Sequence, residues 1–85
     1  GRGADALQTV AEGVAMAERF GARYIEPELH CLEGDAWLVQ GRPQQAVRSW
    51  YAASIQAQRL GLLRYAQWAE HRLRGNQAAV GAEPA

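Results

Sequence analysis

The chain has 85 residues, of which 48% are hydrophobic and 21% charged, and its formal net charge is zero. These values exclude a disordered chain and allow one small domain, while the zero charge does not favour nucleic acid as a partner. The lone cysteine excludes an internal disulfide and a zinc site built from cysteines, and it fits a reducing, cytoplasmic setting. No apolar run approaches the roughly 18–20 residues of a membrane span, so we expect no membrane insertion.

The first predicted helix has Asp5 as a candidate N-cap and ends at Gly21, which supplies a left-handed turn. Pro27 fits only in the first turn of the second helix, so that helix begins near Glu26 and ends at Gly41. The residues predicted to face the core are Leu7, Val10, Val14 and Ala17 in the first helix and Ile25, Leu29, Leu32, Ala36 and Val39 in the second.

Pro43 opens the third predicted helix and Gly61 ends it, and the fourth runs from about Leu62 to Gly75. Their predicted core residues are Ala46, Trp50, Ala53, Ala57 and Leu60, then Leu62, Ala66, Ala69 and Leu73. No segment alternates like a strand, so the fold is predicted to be all-α. Connections of roughly two to five residues require neighbouring helices to pack antiparallel. We expect a tag or linker at residues 1–3, a domain at 4–75 and a tail at 76–85.

The second half of the chain repeats the first. The segment from Gly13 to Gly34 returns from Ala53 to Gly75 at a shift of 40, which becomes 41 after one inserted residue. The matched pairs are Ala17 with Ala57, Arg19 with Arg59, Gly21 with Gly61, Tyr24 with Tyr65, His30 with His71, Leu32 with Leu73 and Gly34 with Gly75. A period of about 20–50 residues is typical of stacked supersecondary units.

The second and third helices resemble a tetratricopeptide repeat. That pattern places small residues where two helix backbones cross and bulky residues between neighbouring hairpins. The residues that carry it are Gly34, Trp37, Ala46, Trp50 and Ala53. Residues 6–75 are also similar to the C-terminal helical repeats of large bacterial signalling ATPases, such as LuxR-type ATP-binding regulators and ATPase-fused adenylate cyclases. The resemblance implies antiparallel helix hairpins stacked as a short α-solenoid of about four helices.

The resemblance also implies a scaffold for protein–protein interaction or oligomerisation, without catalysis or a cofactor, in a multidomain bacterial signalling or transcription regulator. The alternative is a regulatory domain that senses a small effector in the concave groove. In the family's geometry, the residues facing this groove are Glu28, Cys31, Asp35, Leu38, Ala69, Arg72 and Asn76. Trp68 has no large counterpart in the first copy, so it either packs beneath the tail or forms an exposed interface anchor.

Glu26 and His30 are spaced i, i+4, with Cys31 beside them, but a metal would need a further ligand and His71 is the only other histidine. We therefore expect no metal, and we interpret the two histidines as equivalent packing positions because both precede Leu-x-Gly. Cys31 is interpreted as a small surface or groove residue. The acidic cluster around it is either a solvated face or a recognition surface for a basic partner; it comprises Glu26, Glu28, Glu33 and Asp35.

The charges are unevenly distributed along the repeat. Residues 1–35 contain seven acidic residues and three arginines, a balance of −4, and residues 36–85 contain six arginines and two acidic residues, a balance of +4. The absence of lysine is associated with GC-rich bacterial genomes. Two hairpins' worth of helix is fewer than the roughly three repeats that such arrays need, so the outer faces should expose apolar surface. We expect a longer array or self-association, with the opposite charges favouring head-to-tail contact.

Overall fold

The structure, a computed structural model, describes residues 2–76, and of residue 2 only the backbone. The described elements are α1 (Arg2–Phe20), a 3-10 turn (Arg23–Ile25), α2 (Glu26–Val39), α3 (Pro43–Leu60) and α4 (Leu63–Gly75). The prediction of an all-helical fold with four helices is confirmed for this part of the chain, which contains no strand. Residue 1 and residues 77–85, most of the predicted tail, lie outside the described residues.

Three glycines end the first three helices in the same way. Gly21, Gly41 and Gly61 have φ angles of 73°, 75° and 72°, the left-handed conformation that glycine adopts without a steric penalty. The residue after each glycine donates its N–H to a carbonyl five positions earlier, at 2.8 Å from Ala22 to Ala17 and likewise from Leu62 to Ala57. These bonds satisfy carbonyls that the end of a helix leaves unpaired, and they place the ends at the predicted glycines.

The start of α1 differs from the prediction. The helix begins at Arg2, so Asp5 lies in its first turn rather than at the N-cap, and Arg2 and Gly3 belong to the helix rather than to a linker. Gly3 is buried against α2, where an added Cβ would lie 2.8 Å from Cγ of Gln40. Gly3 thus meets a residue far along the chain, and the carboxylate of Asp5 in the first turn still interacts favourably with the helix dipole.

Helix α2 is central, since it contacts α1, α3 and α4, and α3 also contacts α4. Cys31 lies against Ala53, and Gly34 lies against Trp50. Residue numbers therefore rise along α2 as they fall along α3, so these two helices run antiparallel. Between α2 and α4, residue 28 bonds residue 65 and residue 35 bonds residue 72, so these two helices run parallel.

The core is organised around Trp50, whose side chain is fully buried with Ala46 and Val47. Trp37 of α2 and Leu73 of α4 pack against this cluster. An added Cβ on Gly34 would lie 2.8 Å from Cε2 of the indole. The absence of a side chain at this position therefore lets the indole pack directly on the backbone of α2.

The predicted core face of α2 is wrong for two residues. Leu32 is 41% exposed and Val39 is 76% exposed, although both belong to the predicted apolar stripe. The residues that α2 buries are instead mostly small, namely Glu26, Pro27, Cys31, Gly34 and Ala36. Close packing of α2 against three helices favours small residues at the contacts, while one side of the apolar stripe meets no neighbour among the described helices. Leu60 of α3 is likewise exposed.

Replacing Gly34 with alanine should destabilise the fold by about 1–3 kcal/mol, because the added Cβ overlaps an indole that has no space to move into. The matched control is Gly75→Ala, at the equivalent position of the repeat, where an added Cβ meets no atom of residues 2–76 within 4 Å. That change should leave the free energy of unfolding unchanged or raise it by up to about 1 kcal/mol. Urea unfolding of both variants measures the difference, and equal effects would show that the indole does not constrain residue 34.

Candidate functional site

Three of the predicted groove residues lie together where α2 and α4 run side by side. Arg72 donates from Nε to Oδ1 of Asp35 at 2.9 Å and from its terminal nitrogen to Oδ2 at 3.3 Å. This hydrogen bonding raises the pKa of Arg72. Oδ1 also accepts a bond from Nε1 of Trp50 at 3.2 Å, and Asn76 donates to the carbonyl of Arg72 at 2.8 Å. We call this network, Asp35 with Trp50, Arg72 and Asn76, the polar seam.

The other predicted groove residues divide into three cases. Glu28 accepts a bond from the hydroxyl of Tyr65 at 3.3 Å, which links α2 to α4 a second time. Leu38 is exposed and takes no part in these contacts. Cys31 and Ala69 are buried. Asp35 and Arg72 therefore pair with each other, and Glu28 pairs with Tyr65, across α2 and α4 instead of lining an open groove.

The interpretation of Cys31 as a surface or groove residue is wrong. Its side chain is fully buried against Ala53 of α3 and Ala69 of α4. Burial, as the largest cause, raises the pKa of the thiol to about 11. The residue is therefore an uncharged core side chain at neutral pH, where the small size of all three partners lets α2, α3 and α4 approach closely.

In the folded protein, Cys31 should react with an uncharged alkylating reagent at least about a hundredfold more slowly than in denaturant, because the thiolate forms only after local opening. Mass spectrometry of time points at pH 7.5 measures both rates. The unfolded chain under the same reagent is the control. Equal rates would show that the thiol is accessible in the folded state.

The exposure of Trp68 is intermediate between that of a packed side chain and that of an exposed interface anchor, the two predicted alternatives. It is half-buried and packs on the Cys31, Ala53 and Ala69 cluster. The guanidinium of Arg72 lies 5.6 Å from the centre of its ring, and the ring of Tyr65 lies at 6.3 Å. The residue thus supports α4 from its own chain, and its role as an interface anchor stays a prediction.

The two histidines are not equivalent, which corrects the prediction. His30 is half-buried and lies with Nδ1 3.5 Å from Oε1 of Glu33, an oxygen that also accepts a bond from Ser49 of α3 at 2.7 Å. The hydrogen bond between His30 and Glu33 is the largest cause of the raised pKa of His30 and of the lowered pKa of Glu33. His71 is exposed, because within the described chain no helix packs on the corresponding face of α4.

Acidic groups surround His30 without forming a metal site. Glu18, Glu26 and Glu33 each help to raise its pKa. Glu26 is buried, and its Oε2 makes no hydrogen bond to the described residues. Within residues 2–76, no group of three or more His, Cys, Asp and Glu side chains has an arrangement that would hold a metal ion. Ser49 bonds Glu33 directly, so these residues do not form a nucleophile activated by histidine.

The contact between His30 and Glu33 should stabilise the fold most between about pH 4.5 and pH 6.5. The raised pKa of His30 gives a contribution that is present below its ordinary value of 6.5 and lost as the pH rises through the raised value. The lowered pKa of Glu33 gives a contribution that is present above its ordinary value of 4.5 and lost as the pH falls through the lowered value.

His30→Gln should therefore cost about 0.5–1 kcal/mol more at pH 5.5 than at pH 8.5. Urea unfolding at the two pH values gives this difference. The control is His71→Gln, an exposed position that should change stability by less than about 0.5 kcal/mol at either pH. A cost for His30→Gln that does not vary with pH would contradict the assignment.

An open apolar cleft of about 540 Å³ lies between α1 and α2. The residues that line it are Gly3, Ala6, Thr9, Val10, Leu32, Asp35, Ala36 and Val39. Asp35 is the one charged lining residue, and it also belongs to the polar seam. The predicted site residues do not include the other seven, although the repeat contains a signal for them, since Ala6 and Val10 correspond to the core residues Ala46 and Trp50.

Other large apolar side chains are exposed outside the cleft. Met16 is 60% exposed and Phe20 is 70% exposed, and their spacing from Thr9 places all three on one side of α1. At the other end of the fold, Leu63 of α4 is 69% exposed. Each outer helix thus exposes at least one large apolar side chain, as do α2 and α3.

Comparison of the chain with protein-family models, with curated proteins and with solved structures finds no match. Across residues 2–76, no helix is both long enough and apolar enough to cross a bilayer.

Proposed function

We propose that this chain is a scaffold for protein–protein interaction or oligomerisation and carries no catalysis of its own. The observation that carries the proposal is the apolar surface along α1 and α2, which comprises the cleft and the exposed side chains of Met16, Phe20, Leu32 and Val39. Contiguous exposed apolar surface on a small domain is characteristic of a place where another chain packs. Protein, rather than nucleic acid, is the partner that a chain with zero formal net charge and apolar faces favours.

The proposal includes a tetratricopeptide-like α-solenoid. Its support is the 40–41-residue repeat together with the packing of α2 on α3 and of α3 on α4. In such an array each unit buries its apolar face only against its neighbours, so a short array leaves both outer faces uncovered. The exposed residues at both ends of this fold, Met16 and Phe20 at one and Leu63 at the other, agree with that property.

We also propose that the chain acts inside a bacterial cell, as part of a multidomain signalling or transcription regulator. The support is the resemblance of residues 6–75 to the repeats of such regulators and the use of arginine without lysine. In that setting a helical repeat would transmit the presence of a partner to attached domains.

Site-specific cross-linking tests the scaffold role. A photoreactive phenylalanine analogue at position 39 should form covalent adducts with protein in cells that produce the full protein, because Val39 borders the cleft and is 76% exposed. The control carries the analogue at position 59, an exposed residue of α3 outside the cleft. Adducts specific to position 39, with any protein including a second copy, support the proposal. No adducts, or equal adducts at both positions, would overturn it.

The alternative function, sensing of a small effector, is favoured by the volume of the cleft. At about 540 Å³ it falls within the range of roughly 300–1,000 Å³ of pockets that bind small molecules. A thermal-shift screen against metabolites distinguishes the two functions. A reproducible rise in melting temperature with one class of compound would favour effector binding, since a ligand that binds only the folded state stabilises it.

A further inference from the structure

We propose that the cleft between α1 and α2 receives α4 of a second copy of this chain, so that copies assemble head to tail. The inference rests on the proposed scaffold function and names its partner. It starts from the repeat, which relates the pair α1 and α2 to the pair α3 and α4. Ala6 and Val10 match Ala46 and Trp50, and Leu32 matches Leu73.

Within one chain, α2 fills the groove that α3 and α4 form. Trp37 of α2 and Leu73 of α4 both pack on the cluster around Trp50, and Gly34 of α2 lies against the indole. Helices α1 and α2 form the corresponding groove, which is the open cleft lined by Val10 and Leu32. No other helix of the described chain lies in this cleft. The position that α2 occupies beside α3 and α4 is therefore vacant beside α1 and α2.

Helix α4 is the element that the repeat relates to α2, so α4 of a second copy is the occupant that continues the repeat. Gly75 corresponds to Gly34, and Val10 corresponds to Trp50. An added Cβ at Gly75 would meet no atom of the described residues within 4 Å, so none of them covers the backbone of α4 at this point. In the assembly, Val10 of one copy packs towards Gly75 of the next, as Trp50 packs on Gly34 within a chain.

The charges of the two surfaces are complementary. In one chain, Ser49 of α3 bonds Glu33 of α2 at 2.7 Å. In the repeat, Thr9 corresponds to Ser49 and Arg74 corresponds to Glu33. The same pairing between copies brings Thr9 of one copy together with Arg74 of the next. Asp5 and Glu12 lie about one turn to either side of Thr9 on the same face of α1, so Arg74 approaches two carboxylates.

The formal charges of the two halves of the sequence have the same signs as these contact residues. Residues 1–35, which include α1, have a formal charge of −4, and residues 36–85, which include α4, have +4. Opposite charges across an interface steer association and fix its orientation. They also disfavour contact between two like ends, so the arrangement is head to tail rather than symmetric.

Each copy uses two different surfaces, so the contact is heterologous and need not close into a dimer of fixed size. The mass from light scattering should rise steadily with concentration above the 9.3 kDa of one chain. It should fall when about 0.5 M salt screens the charges.

Charge reversal tests the contact. Arg74→Glu alone and Asp5→Arg with Glu12→Arg should each weaken association at least about tenfold, because like charges then face each other. An equimolar mixture of the two variants should assemble again. The reversed α4 of the first variant meets the reversed α1 of the second, and the unchanged α4 of the second meets the unchanged α1 of the first, so opposite charges face each other at both contacts. All three positions are exposed, so circular dichroism should show that both variants remain folded. Arg59→Glu is the control and should associate like the parent chain.

A parent chain that stays monomeric at all concentrations would overturn the head-to-tail contact, and so would a mixture that associates as weakly as the single variants. The cross-linking at position 39 separates this failure from failure of the scaffold function. Adducts with a different protein and none with a second copy would reject self-assembly and keep the scaffold. No adducts at all would reject both.

Discussion

The packing of Trp50 on the backbone of Gly34 is the contact on which the rest of the structure depends. The indole is fully buried where α2 and α3 cross, and its Nε1 donates to the carbonyl of Cys31 at 3.3 Å and to Asp35 at 3.2 Å. Asp35 in turn holds Arg72 of α4. One side chain of α3 therefore connects the backbone of α2 to the charged surface of α4, and three of the four helices are oriented by it.

This arrangement explains why the polar side chains that already pair within the chain are poor candidates for binding a partner. Asp35 and Arg72 pair with each other, Glu28 pairs with Tyr65, and Glu33 accepts from Ser49. A charged group that already has a partner must lose it before it binds something else, which costs free energy. The cleft between α1 and α2 is instead mostly apolar, and Met16 of α1 is 60% exposed. The candidate site consequently lies on the outer helices rather than on the polar seam.

Much of the fold was predictable because its signals are local. The left-handed glycines at 21, 41 and 61 and the prolines at 27 and 43 constrain the backbone through their own geometry, whatever the rest of the chain does. The start of α1 was not predictable in this way, because Gly3 is buried against Gln40, a residue that only the folded chain brings near. The cleft was missed for a related reason, since Val39 belongs to an apolar stripe whether or not a helix covers it.

The sequence by itself determined the helices, their ends and the repeat, because capping, proline geometry and apolar periodicity act over a few residues. Only the tertiary structure decided which side of each helix is covered. Cys31 is buried and His71 is exposed for that reason, although the repeat relates His30 to His71 and the groove pattern includes Cys31. Burial depends on which helices surround a residue, and α2 has three neighbours whereas the outer side of α4 has none among the described helices.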